Sequence, residues 1–315
     1  MGLRALVTCL GLTLLLGACS QTDTAPLRIG TNLWLGYEPL YIAQSNGTLG
    51  DGVDLIEHPS ASQVLQAFRE GLIDAAALTL DEVLLLAESG FEPKIVLAMD
   101  ISTGADAIIS KPGFKHMSDL KGHRIGVERS ALGAYMLHRA LTLSGMTPND
   151  VVQVNLQIQK HEAAYHTGQI DAVVTFEPVR SNLIASGATE LFNSAMITGE
   201  IVDVLVVRKS YLAQHPGRVN TLIETWFQTL EKINQNPMAA AETMSTHMKQ
   251  GPRSILKAME GLNFPDRNEN ARLVNPNNGR SPALQKTAQR LSRTMRTEGM
   301  IAHHINTKNL FTSKQ

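Results

Sequence analysis

Cysteine is scarce in this sequence: its 315 residues include two, Cys9 and Cys19. Two thiols build neither a disulfide framework nor a cysteine-based zinc site. Neither sign of charge is in excess, with 28 Lys and Arg against 29 Asp and Glu. That balance argues against a nucleic-acid binder working through global positive charge. Charged residues recur along the whole chain after the first turns, which disfavours both a polytopic membrane protein and intrinsic disorder. The sequence also lacks a phosphate loop, a Gly-x-Ser-x-Gly elbow and a clustered metal-ligand set. The histidines of His161-Glu162-Ala163-Ala164-Tyr165-His166 are five apart and diverge on a helix, so this is not a zinc-protease pattern. No metal, cofactor or enzymatic activity is expected. The length suits about two compact domains.

The N-terminus reads as a targeting signal. Arg4 precedes an apolar stretch, Ala5 to Leu16, that is short for a permanent membrane helix. Leu16-Gly17-Ala18-Cys19 comes next and resembles a bacterial lipobox, which implies cleavage of residues 1–18 and diacylation of Cys19. Ordinary cleavage, with Cys19 lost or free, is the alternative. Residues 19–26 read as a lipid-anchored tether.

An internal repeat organises the rest of the chain. Arg28-Ile29-Gly30 recurs as Arg124-Ile125-Gly126, 96 residues later. Phe68-x-x-Gly71-x-Ile73-Asp74-Ala75 recurs as Tyr165-x-x-Gly168-x-Ile170-Asp171-Ala172, 97 residues later. Each repeat carries a helix ending at glycine and then an apolar run, the pattern of a C-capped helix entering a buried strand. Ala75 to Leu78 and Ala172 to Val174 read as central strands buried on both faces, parallel to their neighbours. The repeat implies two similar α/β lobes. Residues 27–105 form the first part of lobe 1, 106–203 form lobe 2, and 204–315 return to lobe 1 with C-terminal helices. Leu284, Ala288, Leu291 and Met295 make an apolar helical stripe.

Ligands of open α/β sheets bind beyond the carboxyl ends of strands. Those ends supply the candidates. Trp34, Gly36 and Tyr37 form an aromatic loop suited to stacking on a ring or holding a cation. Ser60, Thr79 and Ser130 open helices, where capping explains each as well as ligand contact does. Glu177 comes directly after a buried strand and faces either a ligand amine or a structural partner, Arg129 or Arg180. Asp100, Asp106, Glu200 and Asp203 cluster near the presumed crossings, and sequence does not say which one faces the cleft.

Arg28-Ile29-Gly30 leading to Trp34-x-Gly36-Tyr37-x-Pro39-Leu40-Tyr41-x-Ala43 resembles the opening of the nitrate, sulfonate, taurine and thiamine-precursor binding proteins of ABC importers, the SsuA/THI5-like or NMT1-like family. The likeness continues through Gly71-x-x-Asp74-Ala75, Asp119-Leu120-Lys121-Gly122-x-x-Ile125-Gly126-Val127 and Asp171-Ala172-x-x-x-x-Glu177-Pro178, and covers roughly residues 27–235. The resemblance implies the type II periplasmic-binding-protein fold: two α/β lobes joined by two hinge crossings, with a ligand clamped between them. It also implies that the first-strand loop, the helix start from Ser130 through Gly133 to Tyr135, and the strand end at Glu177 contribute to the pocket. Thr103, in the first crossing, joins the expected ligand residues. Apart from Arg129, the candidate loops carry no basic clamp for a sulfonate, and the acids favour a ligand with amine or ring N–H groups.

The expected protein is a lipid-anchored monomer of the cell envelope that faces the periplasm or exterior. It captures a small polar or heteroaromatic ligand and delivers it to an ABC permease. The alternative is a ligand-sensing lipoprotein that docks on a membrane signalling partner and transports nothing.

Overall fold

The computed structural model describes residues 25–129, 132–276 and 281–312. The first unit runs β1 (Leu27–Asn32), α1 (Glu38–Ser45), β2 (Val53–His58), α2 (Ala61–Glu70), β3 (Ala75–Thr79), α3 (Leu80–Glu88) and β4 (Pro93–Ser102). The chain then crosses to β5 (Asp106–Ser110), β6 (Arg124–Val127), α4 (Leu132–Leu143), β7 (Val152–Asn155), α5 (His161–His166), β8 (Ala172–Phe176), α6 (Val179–Ala185) and β9 (Thr189–Asn193). It returns as β10 (Val202–Arg208), continuing through α7 (Lys209–Gln214), α8 (Pro216–Gln235), α9 (Pro237–Met248), α10 (Pro252–Met259), β11 (Leu262–Asn263), α11 (Arg267–Val274) and α12 (Ala283–Thr297). One sheet has the order β11-β4-β10-β3-β1-β2, the other β7-β6-β8-β5-β9.

The sequence repeat is one physical unit built twice. Arg28 lies 2.8 Å from Asp74 and also donates to the Gly71 carbonyl; Arg124 lies 3.0 Å from Asp171 and donates to the Gly168 carbonyl. These pairs are partly exposed and screened by water, so they add little to overall stability. Their role is to tie the helix-to-strand turn to the start of the neighbouring strand. Gly71 and Gly168, at φ 76° and 75°, turn the chain out of α2 and α5. A Cβ on Gly30 would stand 2.4 Å from the Ile73 Cδ1, and one on Gly126 2.8 Å from the Ile170 Cδ1. Glycine at both positions lets an isoleucine pack against the strand.

Both central strands are buried on two faces, as expected. Ala75 and Ala77 of β3 enter one core while Ala76 and Leu78 enter the other. Ala172 and Val174 of β8 likewise part from Val173. Period-two alternation between two apolar layers explains these unbroken apolar runs. The sheets are mixed rather than parallel. β3 pairs in parallel with β1 but antiparallel with β10; β8 pairs in parallel with β6 but antiparallel with β5. Both antiparallel strands arrive from the opposite lobe, which reverses their direction. The α12 stripe, Leu284, Ala288, Leu291 and Met295, is buried on lobe 1.

The crossings lie side by side. Ser102 Oγ is 2.7 Å from Ser194 Oγ, which also accepts from the Gly104 N–H at 2.7 Å. The Thr103 N–H donates to the Gly261 carbonyl at 2.8 Å. Gly104 has φ 137°, a conformation that suits glycine. The return to the first sheet begins at Val202 rather than at 204, so Asp203 sits within β10.

Candidate functional site

A cavity of about 50 Å³ lies between the sheets. At roughly 10–15 Å³ per water, it has room for about four. Lobe 1 contributes Asn32, Trp34, Tyr37, Thr79, Glu82 and Asp203; lobe 2 contributes Asp106, Glu128, Gly133, His161, Thr175 and Phe176. The lobes also bond to each other around it. The Ser62 N–H and hydroxyl donate to Glu128 Oε1, the Leu132 N–H reaches Glu82 Oε1 at 3.4 Å, and Gln250 donates to Asn182 Oδ1 at 3.1 Å. Trp34 meets Phe176 edge to face across the cleft, with ring centroids 5.3 Å apart.

The carboxyl groups are held by the first lobe's strand ends. Asp203 is paired in register with Asp100 on β4 and Thr79 on β3. It accepts from the Tyr37 hydroxyl at 2.5 Å. Trp34 Nε1 donates to Asp100 Oδ2 at 3.2 Å, which sets the indole as a wall of the cavity. Glu82 accepts from the Thr79 N–H at 2.9 Å, the backbone half of the expected helix cap. Burial raises the pKa of Asp100, Glu82 and Asp203, with neighbouring carboxylates adding to it; Asp81 repels Glu82, and Asp100 repels Asp203. Burial pushes Asp106 up to about 7. Burial lowers His161 to about 4, leaving it neutral at pH 7. Its Nε2 lies 3.1 Å from the Leu156 carbonyl, which only accepts. Nε2 therefore carries the hydrogen, and Nδ1, 3.2 Å from the Thr175 hydroxyl, accepts. The cavity is lined by four acids and a neutral histidine, with no Lys or Arg among its described lining residues. Among the described residues, no His, Cys, Asp and Glu group has the arrangement of a metal site, and no helix is long and apolar enough to cross a membrane.

Residues 20–247 match the sequence profile of the NMT1-like family. The chain belongs to the NMT1-like family. The taurine-binding periplasmic protein of Escherichia coli (strain K12) is 26% identical over 206 residues, a match spanning 64% of either chain. A putative binding protein of Brucella abortus (strain 2308) is 27% identical over 251 residues, 74% of this chain and 75% of that one. The solved alkanesulfonate-binding protein SsuA of Xanthomonas axonopodis pv. citri, bound to MOPS, has a TM-score of 0.79 at 19% identity, covering 92% of this chain and 99% of its own. The periplasmic aliphatic sulphonate binding protein SsuA of Escherichia coli has a TM-score of 0.75 at 16% identity, covering 92% and 94%. The fold is that of the periplasmic binding proteins.

In this NMT1-like chain, Trp34, Tyr37, Thr79 and Gly133 of the expected ligand residues line the cavity together. Ser130 and Cys19 lie outside the described residues. The other expected residues sit elsewhere. Glu177 is buried, but its carboxylate turns to Arg180 at 2.8 Å and to the Ser181 N–H and hydroxyl, away from the cavity lining. Of the two structural partners weighed, Arg180 is the one used; Arg129 is exposed and does not line the cavity. Tyr135 donates to Glu200, which also pairs with Arg139, so Glu200 is the crossing acid drawn out of the cleft. Ser60 is fully buried beside the lining residue Ala61, and its hydroxyl neither caps α2 nor lines the cavity. Thr103 serves the crossing through its N–H.

Gly36 makes room rather than contact. A Cβ there would stand 1.8 Å from Asp100 Oδ2 and 2.4 Å from Trp34 Nε1. Gly36→Ala is expected to break the Trp34–Asp100 bond and destabilise the protein by about 1–3 kcal/mol through overpacking. Thermal denaturation read by tryptophan fluorescence checks this; an unchanged midpoint contradicts it.

The site residues that sequence reasoning left unassigned are Glu82, Asp106, Glu128, His161, Phe176 and Asp203. Asp106 and Asp203 stood among four crossing acids without a signal to choose between them. Their register opposite Phe176 and Asp100 makes the choice. His161, discounted as a metal ligand, reaches the cavity as a hydrogen-bonded wall.

Proposed function

We propose that this chain is an extracytoplasmic solute-binding protein, anchored through a lipid on Cys19, that closes its lobes over a small molecule and presents the closed form to an ABC permease. The observation that carries this reading is the position of the cavity: each lobe supplies about half its wall, so a ligand there stabilises the closed arrangement over an open one. The paired crossings at Ser102, Gly104 and Ser194 make a short, narrow hinge suited to that motion. The names of the taurine- and sulfonate-binding relatives support the same reading. The protein acts as a monomer and leaves its ligand chemically unchanged.

Small-angle scattering of the soluble body, without residues 1–26, tests closure. A thermal-shift screen across amines, sulfonates, pyrimidines and flavins supplies the ligand. The ligand-free protein is expected to have the larger radius of gyration, and the saturated protein to match the scattering profile of this structure. Identical profiles in both states, or turnover of the ligand, overturn the proposal.

A further inference from the structure

The chemistry of the cleft separates this chain from the anion-binding function that its relatives' names suggest. We infer that the cavity takes a small organic cation bearing N–H donors, an ammonium or amidinium group, and rejects sulfonates; this rests on the solute-binding reading above.

Three observations carry it. Glu82, Glu128, Asp106 and Asp203 line the cavity from both lobes, and none of the described lining residues is Lys or Arg. A sulfonate enclosed there would meet no cation to balance its charge, a costly burial. Asp106 is 2% exposed, lines the cavity, and its Oδ2 has no hydrogen-bond partner. A buried carboxyl oxygen left unpaired at the cavity wall is a vacant acceptor, which an N–H donor satisfies. The third is the neutral wall. The His161 Nε2–H is committed to the Leu156 carbonyl, so the imidazole offers no donor toward an anion. The aromatic rings of Trp34 and Phe176 complete the lining, and such rings attract a cation where a face is offered.

The binding reaction then moves protons in a defined direction. From lobe 1, Asp81 on α3, Asp100 on β4 and Asp203 on β10 are charged neighbours of Asp106, and Glu82 and Tyr37 line the same cavity. From lobe 2, Glu128 and His161 line the cavity with it, while Glu177 and Arg180, turned away from the lining, act on it through space, Arg180 being held by Glu177 and Glu190. Burial, with these acids adding to it, pushes the Asp106 carboxyl up to about 7, so it takes up a proton within the neutral range. An incoming cation stabilises the carboxylate and expels that proton. Affinity for a cation therefore rises with pH, by about tenfold between pH 6 and pH 8 for one proton released. An anion has the opposite dependence, binding best when the carboxyls are protonated.

Calorimetry with n-propylamine, acetamidine, taurine and 1-propanesulfonate at pH 6, 7 and 8, in buffers of differing ionisation enthalpy, tests the inference. The expected result is binding of propylammonium or acetamidinium with proton release, rising about tenfold from pH 6 to pH 8, and no binding of propanesulfonate. Asp106→Asn, isosteric with the protonated acid, is expected to fold normally by circular dichroism and to lose that cation about tenfold or more. Propanesulfonate binding that strengthens as pH falls overturns the inference while leaving the solute-binding reading standing. So does cation affinity unchanged in Asp106→Asn. Failure of all four probes at millimolar concentration, together with native mass spectrometry finding no small molecule on protein purified from its host, overturns both.

Discussion

Cys19→Ala is expected to move the protein almost completely from the membrane fraction to the soluble fraction. Cys19 comes directly after Leu16-Gly17-Ala18, and residues 20–26 are small and polar up to the first strand at Leu27. Among the described residues no helix is long and apolar enough to cross a membrane. Each buried acyl methylene contributes about 0.8 kcal/mol, and two or more chains make attachment durable where a single one is marginal. Removing the thiol removes all of them together. Carbonate-washed membranes and intact-mass analysis of the N-terminus check this. An unmodified N-terminus at another residue in the unsubstituted protein would refute it.

Arg180→Ala has the second large expected effect, a loss of about 3–5 kcal/mol of stability. Glu177 is 1% exposed and has Arg180 as its cationic partner, 2.8 Å away; the same guanidinium holds Glu190 at 2.6 Å. Taking away the guanidinium strands a buried carboxylate with only the Ser181 groups to satisfy it. The double variant Arg180→Ala with Glu177→Gln is therefore expected to recover part of the loss, because the fully buried carboxylate is gone, while Glu190 still lacks its partner. Urea denaturation of the single and double variants measures both. A double variant no more stable than Arg180→Ala would mean that packing of the arginine stem, and not the stranded charge, sets the cost.

The fold was largely legible because its information is local and repeated. Arg28 finds Asp74 and Arg124 finds Asp171 across equivalent turns, and the glycines at 71 and 168 are needed wherever a helix leaves in the left-handed region. Helices α2 and α5 and the strands after them are set by those residues with no knowledge of the rest of the chain. The directions of β5 and β10 were not legible. A buried apolar strand reads alike in either direction, and only the crossings, at chain positions far from the strands they pair with, reverse it.

The aromatic loop and the strand-end rule pointed to Trp34, Tyr37 and Thr79, and the family resemblance to Gly133, all of which line the cavity. Glu177 was misdirected because its best partner, Arg180, lies three residues on and competes successfully with the cleft. The sequence by itself determined that one α/β unit occurs twice, since each copy carries its own turn, cap and ion pair. Which acids meet in the space between them was decided only by tertiary structure. Asp106 and Asp203 reach the cavity through strand register, while Glu200 is drawn off by Tyr135 and Arg139. In a pleated sheet a shift of one residue turns a side chain to the other face, and residues 97 apart carry no local signal of that parity.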